Sequence, residues 1–282
     1  DITFIGPAFV IFLFIVLLPF CMSILLSFTS WNGQSKVQWV GLYNYALIFL
    51  RTDAFWRYFV FTLKYAFLFV ILVNLVGLLL ALLLTNKNVL CINSVRTMTI
   101  LPYMVSGIAL GFIWQFIFTK IMPSLGNALG LKFLSVSWLG SAQYAFWAMV
   151  VVSIWQMAGY IMVIYIASIL NIPAELIESA KIDGATGLQL FIHIKLPMIM
   201  PAVTIGLFYA ANVAFKVFDV NFALTNGGPF NSTTSVAMDI YFEAFARGNQ
   251  GLGCAKSMIL FIVVATLTLL QLQLTQRKEV QL

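Results

Sequence analysis

Charge is the scarcest property of this 282-residue chain. Only 9% of its residues are Asp, Glu, Lys or Arg, against about 25% in an ordinary soluble domain. Together with a hydrophobic fraction of 62%, that scarcity argues against a soluble globular fold and for a polytopic membrane protein. Histidine occurs once, as His193, which speaks against zinc or multi-histidine chemistry. The three cysteines, Cys21, Cys91 and Cys254, fall in a hydrophobic run, an inner loop and an outer loop, so no pair suggests a disulfide or metal site. There is no glycine-rich phosphate loop followed by Lys-Ser or Lys-Thr, and no His-Glu-x-x-His, so neither nucleotide chemistry nor a zinc hydrolase is indicated. The net charge of +6 comes from basic residues scattered singly between apolar runs. It makes no surface for nucleic acid.

What the chain has in quantity is apolar length. About 20 mostly apolar residues are needed to cross a bilayer as a helix, and six such runs occur, near 4–28, 58–84, 98–118, 142–170, 197–217 and 256–275. The first is too long for a signal peptide, has no basic start and shows no small-residue cleavage site before Trp31, so it is expected to stay as an anchor in membrane lipid. The connections are 31–57, 86–96, a glycine-containing link 120–140, 171–196 and 218–255. Six spans place both termini on one side with 86–96 and 171–196. Basic residues cannot orient them: Lys87, Arg96, Lys181, Lys195, Arg277 and Lys278 on that side face Lys36, Arg51, Arg57, Lys120, Lys132 and Arg247 on the other, an even division. The fold expected is all-α, a single polytopic transmembrane domain over 1–282.

The most informative connection is 171–197. Pro173 suits the start of a helix, Glu175 favours its N-terminal end, and Gly184 offers a left-handed stop about ten residues later. Leu176, Ile177 and Ala180 share a face of that helix, while Glu178, Lys181 and Asp183 lie around its polar side. Within it, Glu178-Ser179-Ala180, Gly184 four residues on, and Ile194-x-Leu196-Pro197 resemble the "EAA" coupling motif of ATP-binding-cassette importer permeases. Ser179 stands where that family usually has Ala. A second match, Leu224-Thr225-Asn226-Gly227-Gly228-Pro229 followed by Thr233-Thr234, is similar to a loop of the carbohydrate branch, which includes the maltose-type permeases. Val40-Gly41-Leu42-x-Asn44-Tyr45, Phe55-Trp56 and Thr62 extend the likeness over about 40–275.

The resemblance implies a type I importer permease whose loop 171–197 lies in the cytoplasm and couples to a separate ATPase subunit through Glu178, Ser179, Ala180, Asp183, Gly184 and Ala185. It further implies two ATPase subunits carrying ATP and Mg, a second permease subunit in a heterodimer, an external solute-binding protein, and no cofactor bound by this chain. The permease itself is then not an enzyme. An ion-coupled secondary transporter is the rival; it would want mid-membrane paired carboxylates or broken helices, and neither is apparent in the sequence.

Substrate candidates are the polar residues inside the apolar runs. Ser153, Gln156 and Tyr160 form a stripe in the fourth run, and Asn212, Lys216 and Asp219 repeat the spacing in the fifth, beside Phe215. Amides and carboxylates bind sugar hydroxyls, and aromatic rings cover apolar sugar faces. Lys216 has two readings: it lines a solute path, favouring an acidic sugar or sugar phosphate, or it snorkels to the outer interface with Asp219 as its ion partner. A neutral oligosaccharide is the default expectation. Gly227-Gly228-Pro229 reads as a tight outer turn. Beyond it, Asp239, Glu243 and Arg247 form an amphipathic stretch that either rests on the membrane or meets an external protein.

Overall fold

The computed structural model describes residues 2–34, 36–51, 53–85 and 91–276; Lys87, Arg277 and Lys278 lie outside them. The described residues are almost entirely helical, with one isolated bridge, Thr29 to Trp39. Among the described residues five helices are long and apolar enough to cross a membrane, and a bent pair makes a sixth crossing when counted as one span. The described residues fall into two units, 1–59 with 236–265 and 60–235 with 266–282.

The first unit opens with helix α1 (Gly6–Leu26), which presents Phe9, Phe14 and Ile15 outward, as a lipid-facing helix should. Asn44, from helix α2 (Tyr43–Arg51), ties off its end: the amide donates to the carbonyls of Ser27 and Thr29, both at 2.8 Å. The Tyr45 and Ser27 hydroxyls meet at 2.8 Å. The Asn44-Tyr45 pair is thus a clamp on the chain leaving the first span. The unit's core gathers Ile48, Phe55, Tyr58, Val236, Ala255 and Ile259.

Helix α3 (Asp53–Leu84) supplies the second unit's first span. The third run differs from its expected form. It is divided into α4 (Ile92–Met104) and α5 (Gly107–Leu129) by extended backbone at Val105 and Ser106. The cause is local: Pro102 brings no N–H to the last turn of α4, and Gly107 gives no side chain to hold the axis. The helix also runs further than expected into the 120–140 link, ending at Gly130, whose φ is +68°. Helix α6 (Ala142–Leu170) is the most enclosed span. It lets α4 approach closely because Gly159 faces the Thr99 carbonyl, where any Cβ would collide.

After the short helix α7 (Ala174–Ile182), the fifth span is a bent pair, α8 (Gly187–Met198) and α9 (Met200–Phe215), which meet at 68°. Pro197 and Pro201 flank Ile199, so two backbone donors four residues apart are missing at the bend. Proline leaves a second signature. Wide π turns at Leu13–Leu17, Ile117–Ile121 and Phe191–Lys195 each precede a proline by two residues, and the widened turn takes the carbonyl that the pyrrolidine ring would strike. Two spans are therefore interrupted where the sequence reads as unbroken.

Helix α10 (Asp219–Thr225) packs on α5, with Gly111 against Ala223 and the Val220 carbonyl. The loop that follows is held by its own side chains. Asn221 donates to the Thr233 carbonyl at 2.6 Å, the Thr233 hydroxyl donates to the Gly228 carbonyl at 2.7 Å, and Asn226 and Gly227 take positive φ. The Asn-Gly-Gly-Pro motif with its two threonines is a closed loop that needs no ligand to hold its shape.

Helix α11 (Val236–Tyr241), its extension Phe242–Ala246, and helix α12 (Gln250–Gln276) return the chain to the first unit. Here the expected exposed amphipathic stretch is corrected, because its acids turn inward. Asp239 and Glu243 are buried, as is Lys256. The Lys256 ammonium donates to Asp239 and Glu243, both at 2.7 Å, and Arg247 closes the group from outside at 2.7 and 3.3 Å. Asn249 donates to the remaining Glu243 oxygen at 2.8 Å. Burial pushes the Glu243 carboxyl up, but the bonds from Asn249, Lys256 and Arg247 outweigh it and hold the pKa below the usual carboxylate range. Lys256 also stands 5.9 Å from the Phe55 ring centroid. Two cations and two anions cancel, so the two acids and Lys256 can stay out of water while Arg247 is half-exposed.

Candidate functional site

Two places in the second unit hold the candidate functional residues, the segment around α7 and a cavity among the spans. Pro173 starts α7 with extended backbone, Glu175 sits in its first turn and Lys181 in its last, the charge order a helix dipole favours. The helix stops as its glycine predicts. The Asp183 N–H donates to the Ser179 carbonyl, Gly184 to Lys181 and Ala185 to Ala180, at 2.9, 3.1 and 2.9 Å. Gly184 takes φ +82° with open space where a Cβ would stand, so conformation and not crowding requires glycine there. Thr186 then opens α8 by exchanging bonds with Gln189 in a capping box.

Ala180 is buried, while Glu178, Ser179, Asp183 and Gly184 are exposed and Ala185 is half-buried. Ser179 satisfies its hydroxyl on the Leu176 carbonyl at 3.2 Å, so the departure from alanine costs nothing here. Ser179, Ala180 and Asp183 share a shallow depression with Ile194 and Pro197, which brings both halves of the motif to one place. Asp183, Gly184 and Ala185 line the adjoining one with His193. Glu178 points elsewhere, into a pocket it shares with Lys181 and Lys195. Ile182 and Leu188, 86% and 69% exposed, were not singled out from the sequence; an apolar pair standing free on a short loop is what a docking surface offers.

The cavity has a volume of about 250 Å³. Of the expected residues, Ser153, Gln156, Lys216 and Asp219 line it. Lys216 caps the C-terminal end of α9 and Asp219 begins α10; both are exposed to the cavity, and among the described residues no ion pair joins them. The two charges remain available to a solute. Gln156 has a second duty, donating at 3.2 Å to the Val105 carbonyl left open by the break between α4 and α5.

Three candidates stand apart. Phe215 is buried and lines a separate apolar groove with Phe67 and Leu267. Asn212 is half-buried and not among the cavity's lining residues. Tyr160 packs between Tyr103 and Tyr209, with ring centroids at 4.5 and 4.7 Å, and the Tyr103 and Tyr209 hydroxyls meet at 2.5 Å. This group of tyrosines from α4, α6 and α9 adjoins the cavity through Tyr103, which lines it with Tyr65 and Phe69. The sequence carried a signal for Tyr209, three residues before Asn212 and so on the same helical stripe. Tyr103 had none, because its approach depends on the break at Val105.

Residues 73–279 match the family described as "binding-protein-dependent transport system inner membrane component". The chain is 41% identical over 280 residues to a probable starch degradation products transport system permease protein, AmyD, of Thermoanaerobacterium thermosulfurigenes, covering 99% of this chain and 94% of that one. It is 34% identical over 256 residues to the multiple sugar-binding transport system permease protein MsmF of Streptococcus mutans, covering 90% and 87%. In fold it is similar to a chain of a bacterial ABC transporter involved in import of the acidic polysaccharide alginate, with a TM-score of 0.85, 22% identity, and coverage of 98% of this chain and 94% of that one.

Proposed function

Since the chain belongs to the family of inner-membrane components of binding-protein-dependent transport systems, we propose that it is the permease subunit through which an ATP-driven importer passes a sugar or oligosaccharide. The observation that carries this reading is the cavity in which Ser153, Gln156, Lys216 and Asp219 meet Tyr103, Tyr65 and Phe69. Hydrogen-bonding groups of both signs beside aromatic rings are the surface a carbohydrate requires. The names of its relatives, which concern starch products and multiple sugars, support the same substrate class. Lys216 favours an acidic sugar, but Asp219 in the same lining opposes it, and a neutral oligosaccharide is the reading. Tyr103 lines the cavity and is backed by Tyr160 and Tyr209, and the three part as the solute moves on.

The chain works as one permease domain over 1–282 with both termini and loop 171–197 in the cytoplasm and loop 218–255 outside. It pairs with a second, different permease subunit and takes solute from an external binding protein. ATP and Mg bind two separate ATPase subunits, which grip Glu178, Ser179, Ala180, Asp183, Gly184 and Ala185. Closure of the ATPases moves α7, and α7 moves the bundle between two global states, the requirement for coupling distant sites.

Gly184→Val tests the handle. A β-branched residue at φ +82° costs about 1–3 kcal/mol of local strain, enough to reshape the turn without unfolding the spans. In reconstituted transporter, uptake per ATP hydrolysed is expected to fall at least tenfold while the protein remains in the membrane. Unchanged coupling would remove α7 from the transmission path.

A further inference from the structure

We propose that the pocket between the end of α3 and α7 holds the phosphate headgroup of an anionic phospholipid. The pocket has a volume of about 580 Å³ and two unlike walls. Leu82 near the end of the second span, with Ala174 and Ile177 of α7, makes the apolar one. Lys181 and Lys195 supply the other, and no acid pairs with either among the described residues. Glu178 lines the pocket too, so the cations exceed the anion by one. A third cation stands at the same helix end: Arg96 donates to the Leu84 carbonyl at 2.5 Å, and its Nε is buried with no hydrogen-bond partner.

Position decides between a lipid and a free anion. Helix α3 ends as a candidate span at Leu84, and the uncharged stretch 65–84 that closes it has the length of about 20 residues that crosses the hydrocarbon, which puts Leu84 at its edge. A soluble phosphate has no use for the apolar wall, whereas a phospholipid fills it with its glycerol and upper acyl chain while its phosphate meets the lysines. Basic pockets at span ends are where anionic headgroups bind. A lipid seated here touches both the bundle and α7, and on the coupling reading above it stiffens the joint between them. The binding itself does not depend on that reading.

The test uses the complete transporter purified from membranes, with retained lipid measured by mass spectrometry after exchange into nanodiscs of phosphatidylcholine containing a minor fraction of phosphatidylglycerol. Wild type is expected to enrich phosphatidylglycerol over the bulk. The Lys181→Gln/Lys195→Gln double variant should lose at least threefold of that enrichment, and the Lys181→Arg/Lys195→Arg variant, which controls for folding, should keep it. Millimolar inorganic phosphate should displace none of it. Equal enrichment in the glutamine form, or displacement by phosphate, overturns the lipid assignment. So does a glutamine form that keeps its lipid and sheds its ATPase subunits, for the lysines would then serve a protein contact. Because lipid retention is read without transport, a failure here is distinct from a failure of the sugar-permease reading, which uptake alone decides.

Discussion

Two sets of charges in this molecule are built from the same residue types and treated in opposite ways. In the first unit, Asp239, Glu243 and Lys256 are buried and bonded to one another, with Arg247 over them. In the second, Lys216 and Asp219 are three residues apart, line one cavity and make no ion pair with each other among the described residues. A charge held on all sides by its opposites fixes a fold and is closed to anything else. A charge left facing a cavity adds little to the fold and keeps its hydrogen bonds for a solute. The contrast separates enclosed from open charge better than position in the sequence does, since the buried acids looked like an exposed amphipathic stretch.

Breaking the buried set should produce the largest effect. Lys256→Met leaves two buried carboxylates with Arg247 alone, and loss of one partner from a buried group costs about 3–5 kcal/mol. Thermal or chemical unfolding of the purified protein should register that loss. Combining it with Asp239→Asn and Glu243→Gln should restore much of the stability, because the one charge left, Arg247, is half-exposed and can be solvated. A triple variant as unstable as Lys256→Met would refute the ion-group account and leave only packing around Phe55.

A smaller effect separates the sets by pH. The Glu243 pKa is lowered in the native state, with burial opposed by bonds from Asn249, Lys256 and Arg247. Its stabilisation is therefore complete above the unfolded value of about 4.3 and is lost as pH falls through the lower native value. The melting temperature of wild type should drop in that acid window. Glu243→Gln should start lower and fall less steeply over the same range. Parallel curves would show that other carboxyls govern acid unfolding.

How much of this was legible in advance follows the range of the interactions. The loop around Gly184 was readable because its helix start, its stop and its motif are encoded within some twenty-five neighbouring residues. The six apolar runs were readable because each depends on its own length. The interruption at Val105 was not, although Pro102 and Gly107 bracket it, since a proline in an apolar run is as compatible with an intact span as with a broken one until a neighbouring helix donates to the freed carbonyl; Gln156 does so from 51 residues away. For the same reason Tyr103 escaped notice while Tyr160, on a readable stripe, did not. Phe215 shares α9 with Tyr209 yet lines a different groove. Helical spacing names a face; only the neighbouring helices decide what that face meets.

The least stability should be lost at the unpaired charges, where the expected effect is on uptake. Lys216 is exposed and its ammonium anchors no ion pair with Asp219, so Lys216→Gln should change the unfolding free energy by no more than about 0.5 kcal/mol, as surface substitutions do. Uptake should still change, by several-fold in KM, because the charge offered to the solute has gone. A stability loss above about 2 kcal/mol would move Lys216 to the structural side of the comparison. Unchanged uptake with unchanged stability would leave it a snorkelling residue at the interface, and the solute path would then run along Ser153, Gln156 and the tyrosines without it.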